Sequence, residues 1–235
     1  MGTQLALIET VPLPAISNPA RLPSLPGWLQ QRADALGSAV QPDSHGKHRA
    51  MPILPPSLIL NSSEREAVEQ HVAGLGRFLS LDQSITIRER VLSNDQAHGV
   101  MIAGLLIKGG GAKLDKASAD ALTEDYLDAI EDLPAWAVRE ALRKWNRAES
   151  PKLDGKPHDF NWRPMPPTLR RLAQHELVAI RARIGRFEKL LAAVPLLEFS
   201  EEHCRTMLGR LQTVMHDITR PKEPQRVQPQ SEAAE

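Results

Sequence analysis

Nineteen prolines punctuate the 235 residues, and their distribution restricts the fold more than any other feature. Nine of them lie between Pro12 and Pro56, and three more fall among the last fifteen residues. Proline fixes φ and has no N–H to donate, so neither end is expected to hold a long regular element. The sequence therefore predicts an extended or disordered leader over residues 1–60 and a disordered tail over 221–235. Between them lie a helical core, 61–193, and a C-terminal helix, 194–220. Within the leader only Gly27–Leu36, with Trp28, Leu29 and Leu36, reads as a short helix.

Apolar spacing in the middle of the chain is that of helices. Val68, Val72, Leu75 and Leu79 follow cap candidates at Asn61 and Ser62, with Ser63 and Glu66 at capping-box spacing. Residues 94–107 form a second helix whose C-terminal half, VMIAGLLI, is apolar throughout. From 114 to 133, Leu122, Tyr126, Ala129, Ile130 and Leu133 share one face and the acids take the other. Pro134 ends that helix and suits the start of the next, in which Val138, Ala141, Leu142 and Trp145 share a face. With so short a linker the two make an αα-hairpin. Phe160, Trp162 and three prolines form a stiff collar before the longest helix, which carries Leu169, Leu172, Leu177, Ile180, Phe187 and Leu191. A last helix shows Cys204, Leu208, Leu211, Met215 and Ile218 at spacings of four and three, the seam of a helical pair within the chain or with a second copy. SITIR, at 84–88, alternates briefly and is ambiguous. The expected fold class is all-α, a small helical bundle.

Charge sums to zero but is unevenly placed. Residues 115–133 hold seven acids and one base, whereas 139–189 hold thirteen bases and six acids. The segments could neutralise one another within the fold, or the basic one could face an acidic partner such as nucleic acid. One cysteine allows no disulfide within the chain and fits a reducing, cytoplasmic compartment. The longest apolar run is far short of the roughly 20 residues that span a bilayer, and the first residues lack the basic region of a signal peptide.

Catalytic motifs are lacking. In IKGGGAKLDK, Ala112 precedes Lys113 and Leu114 stands where a phosphate loop needs a hydroxyl, so a flexible helix end is the better reading. His45 with His48, and His203 beside Cys204, do not amount to a metal set. Glu124 and Asp128 share a helical face but have no neighbour to tune them, as acid–base chemistry requires. The expectation is a protein with no catalytic residue, cofactor or metal. Aromatics interleaved with bases are the remaining candidates for partner binding: Arg139, Arg143, Lys144, Trp162, Arg163, Arg170 and Arg171.

LTEDYLDAIEDLPAWAVREALRKW, a polar loop and RPMPPTLRRLA together resemble the phage replicative-helicase loader/inhibitor family and related prophage proteins. The likeness spans about Leu122–Ala173; Met165-Pro166-Pro167-Thr168 departs from the family's Pro-Ser/Thr order. The resemblance implies a non-enzymatic DNA-replication accessory that binds the replicative helicase, as loader or inhibitor. The residues themselves leave two alternatives: a DNA-binding or regulatory protein using 139–189, or a helical assembly protein whose copies associate through Leu208, Leu211, Met215 and Ile218.

Overall fold

The computed structural model describes residues 13–14, 16, 18–42, 45–108, 115–197 and 201–219. Among these, seven α-helices and five short strands are formed: α1 (Gly27–Ala35), β1 (Gly37–Pro42), β2 (His48–Leu54), α2 (Ser62–Arg77), β3 (Ile85–Ile87), β4 (Arg90–Leu92), α3 (Asn94–Lys108), α4 (Lys116–Ile130), α5 (Ala135–Asn146), α6 (Pro166–Leu191), β5 (Val194–Pro195) and α7 (Glu201–Thr219). The fold is mixed α and β, which overturns the all-α expectation. One sheet has the order β1-β2-β5, and β3 with β4 forms a separate antiparallel hairpin, which settles the ambiguous SITIR stretch.

β1 and β2 arise in the Pro-rich segment whose prolines predict an extended or disordered leader. Proline is tolerated there because the strands are short and poorly flanked. β1 is an edge strand that ends on Pro42, and β5 pairs β2 only at Ile53 and Leu54, so Pro52 lies beyond the doubly paired stretch. Gln41, buried on β1, donates to the Pro195 carbonyl at 3.3 Å and ties the two outer strands together.

α6 is the spine. At 1.5 Å per residue its 26 residues run about 39 Å, enough to serve two cores. Its first half places Leu169, Leu172, Ala173 and Leu177 against Tyr126 and Ile130 of α4, Val138, Leu142 and Trp145 of α5, and Ile102 of α3. Leu122 is partly buried beside them, so the expected hairpin face and its cover are present. The second half places Phe187 and Leu190 against Leu29 of α1, Leu54 of β2 and Val68 of α2.

Local chemistry fixes these elements. α2 starts with a capping box formed by Asn61 and Glu64, not Ser63 and Glu66: the Asn61 side chain accepts from the Glu64 N–H at 2.8 Å, and Glu64 accepts from the Asn61 N–H at 3.0 Å. Arg32 of α1 meets the same Glu64 at 2.8 Å and lies over the Trp28 ring. Asn94, buried at the start of α3, clamps the Pro134 turn: its Nδ2 donates to the Leu133 carbonyl, and its Oδ1 accepts from the Ala135 N–H at 2.6 Å. That side chain therefore supplies the cap that Pro134 cannot give α5.

Pro166 and Pro167 occupy the first turn of α6, where an N–H would have no helical partner. The collar is closed by two bonds to its backbone: the Tyr126 hydroxyl donates to the Pro164 carbonyl, and Trp145 Nε1 donates to the Trp162 carbonyl at 3.0 Å. Phe160 packs edge-on to Trp145 at 4.9 Å. Phe160, Trp162 and Met165 of the collar are placed in sequence to close this core, but only Phe160 packs into it; Met165 caps α6 and both it and Trp162 are exposed.

The described residues from Leu196 onward belong to a second unit. Within it α7 carries Leu208, Leu211, Met215 and Ile218 at helical spacing, each more than half exposed. The Cys204 side chain, the Gly109–Gly111 helix end, the first twelve residues and the tail 221–235 lie outside the described residues. No helix among the described residues is long and apolar enough to cross a membrane.

Candidate functional site

Four of the seven candidate residues meet at one groove, and three face elsewhere. The groove, about 710 Å³, lies where α3, α5, the collar and the β3–β4 turn come together. Arg139 and Arg143 reach it from α5, and Trp162 and Arg163 from the collar. Arg88 and Lys108 line it too, as do Val100, Gly104 and Ile107 of α3.

The cations here are only partly committed. Arg139 donates to the Thr86 carbonyl at 3.0 Å, which pins the hairpin to α5, and forms no salt bridge among the described residues. Arg143 is engaged: it forks onto Glu140 at 2.8 and 2.6 Å and lies 3.7 Å from Glu149. The hydrogen-bonded Arg143 holds the Glu140 carboxyl below the usual carboxylate range, and burial opposes it only in part. Arg88, Lys108 and Arg163 have no carboxylate partner among the described residues. Beside these charges Ile107 is 85% exposed, Trp162 60% and Val100 48%. Arg88, Lys108 and Arg163 thus stand in the groove beside exposed apolar surface, with no carboxylate partner among the described residues.

Lys144, Arg170 and Arg171 serve the fold. Lys144 Nζ bonds both oxygens of Glu176 at 2.7 Å, with that carboxylate almost shielded from water. Arg170 donates to the Ala129 carbonyl at 2.7 Å and forks onto Asp132, so it ties α6 to the end of α4. Arg171 forks onto Asp154 at 2.8 and 2.7 Å. Of these pairs only Arg170–Asp132 joins the acidic segment to the basic one; Lys144–Glu176 and Arg171–Asp154 lie within the basic segment itself.

Sequence reasoning missed Arg88, Lys108 and the α3 stripe. For the stripe a signal existed: VMIAGLLI is apolar on every side of its helix, so a helix packed on one face must leave apolar residues on the other. Arg88 had none, because its position depends on the hairpin turn. There Arg88 and Glu89 both take positive φ, 46° and 66°, the conformation a two-residue turn between twisted strands demands.

Among the described residues no group of three or more His, Cys, Asp or Glu side chains is placed to hold a metal ion. What the arrangement can do chemically is bind: four separate elements present cations around an apolar floor. No family model, curated protein or solved structure matches the chain significantly.

Proposed function

We propose that the protein is a non-enzymatic accessory of DNA replication that acts in the cytoplasm and binds the replicative helicase through the groove between α3, α5 and the collar. The observation that carries this reading is the conjunction of exposed Trp162 and Ile107 with Arg88, Lys108 and Arg163, cations that lack carboxylate partners among the described residues. Docking surfaces concentrate their energy in a few aromatic and arginine anchors, and these are the residue types left uncommitted here. The choice of the helicase comes from the likeness of Leu122–Ala173 to the loader/inhibitor family.

Co-purification of the full chain with its host's replicative helicase tests the reading. Retention at low and moderate salt, abolished by Arg139→Glu together with Arg163→Glu, is the expected outcome. Failure to retain the helicase at either salt would remove it.

A second reading, direct binding of nucleic acid by the same cations, is favoured by their lack of carboxylate partners among the described residues. It requires affinity that falls steeply with salt, because each neutralised phosphate releases counterions.

A further inference from the structure

The floor of the groove has a shape as well as a polarity. Val100, Gly104 and Ile107 follow one another at spacings of four and three along α3, which puts them in one row about 10 Å long. Gly104 interrupts that row: a Cβ built on it would meet nothing within 4 Å. The gap lies between two exposed aliphatic side chains and is open to a bulky side chain from outside. Around the row, cations arrive from four elements: Arg88 from the hairpin turn, Lys108 from the end of α3, Arg139 from α5 and Arg163 from the collar.

Three kinds of occupant can be weighed. A single-stranded nucleic acid gains most of its non-ionic affinity by stacking bases on aromatic faces. Trp162 is exposed, but the Phe160 ring is turned onto Trp145, and Val100 and Ile107 offer no face for a base. An extended peptide would need backbone partners along the whole row, and at Val100 and Gly104 the row belongs to a helix whose own groups are already bonded. A helix satisfies its backbone internally and presents apolar side chains at the same four-and-three spacing.

We infer that the groove receives an amphipathic α-helix of a protein partner, with acidic side chains flanking an apolar stripe and one bulky anchor seated over Gly104. This assignment rests on the groove being the docking face.

The test uses the full chain and three labelled probes read by fluorescence anisotropy. One is a helical peptide about four turns long with a leucine stripe and glutamate flanks. The others are the same peptide with lysine flanks and an oligothymidylate. The glutamate-flanked peptide is expected to bind and the lysine-flanked one to fail. Gly104→Trp, which fills the gap, should weaken binding at least about tenfold without lowering the thermal midpoint. Ile107→Asp, at a site that touches water in the free protein, should do the same if Gly104→Trp folds poorly.

Peptide binding that is indifferent to both variants overturns the inference. Oligothymidylate binding that Arg163→Glu abolishes, with no peptide binding, also overturns it, yet keeps the groove as the docking face. If no probe binds and Gly104→Trp still retains the helicase, the groove reading falls along with the inference.

Discussion

Among the described residues, two buried imidazoles respond to mild acid, above the range where the lowered carboxylates titrate. His71 of α2 is buried with its ring edge-on to Phe187 at 5.6 Å, and its Nε2 has no hydrogen-bond partner. His98 of α3 is buried among the first core's helices, again with Nε2 unpartnered. Burial lowers both affinities for a proton; nearby Arg183 lowers that of His71 further, while Asp95 offsets that of His98 only in part. The folded protein therefore binds fewer protons than the unfolded chain, and stability rises with pH across the window. Above about 6.5, the value for a free imidazole, both states are neutral and nothing is lost. Below it the unfolded chain takes up protons that the folded one refuses. The thermal midpoint should thus fall as pH drops from neutrality towards 5, before the carboxylates titrate. In His98→Leu, which cannot titrate and keeps an apolar volume, the fall should be shallower. Equal slopes in the two proteins would show that His98 is solvated.

Among the elements, two tight turns of the same kind contrast. Between Leu153 and Lys156 the turn is Asp154-Gly155, with φ of 54° and 71°, residues that accept positive φ cheaply. Between β3 and β4 the turn is Arg88-Glu89, two residues whose Cβ atoms crowd the backbone there. Such positions cost of order 1 kcal/mol each. Glu89→Gly should therefore raise stability by about 1 kcal/mol in denaturant unfolding, with binding through Arg88 unchanged. A loss of stability would mean that the turn is not the one described. The same contrast shows what a sequence can and cannot disclose about elements. α2, α4, α5 and α6 were legible because their core contacts recur every three to four residues and their caps are local. The three-stranded sheet was not. β2 buries only Leu54 fully and grades inward along its length instead of alternating, and β5 has two residues, so neither produces a period. At the groove, Arg139, Arg143, Trp162 and Arg163 could be nominated from composition. Which bases are neutralised could not, since the acids that take Arg170, Lys144 and Arg171 are 38, 32 and 17 residues away.

For the whole molecule the decisive question is whether residues 1–60 are an appendage or part of the core. Leu29 and Leu54 are sealed from water, and Leu60 nearly so, in the cluster that covers Phe187 and Leu190 on the second half of α6. Arg183 donates to the Pro23 carbonyl at 2.8 Å, Arg186 pairs with Asp34 at 2.7 Å, and Arg32 neutralises the buried Glu64. Each buried leucine is worth about 1.5–3 kcal/mol, so three together approach the 5–15 kcal/mol that stabilises a whole domain. Removing residues 1–60 would also strand Glu64 and open an apolar face on α6 and α2. A chain of 61–235 should therefore lose the cooperative melting of the full protein or aggregate, whereas a dispensable leader would leave the midpoint unchanged. Because a truncation can fail for trivial reasons, Leu54→Ala in the full chain gives the graded version. It deletes one side chain at the junction of sheet and spine, and should cost about 2–5 kcal/mol in denaturant unfolding. A Leu54→Ala cost below about 0.5 kcal/mol, the level of an ordinary surface substitution, would return the leader to the status its prolines suggested.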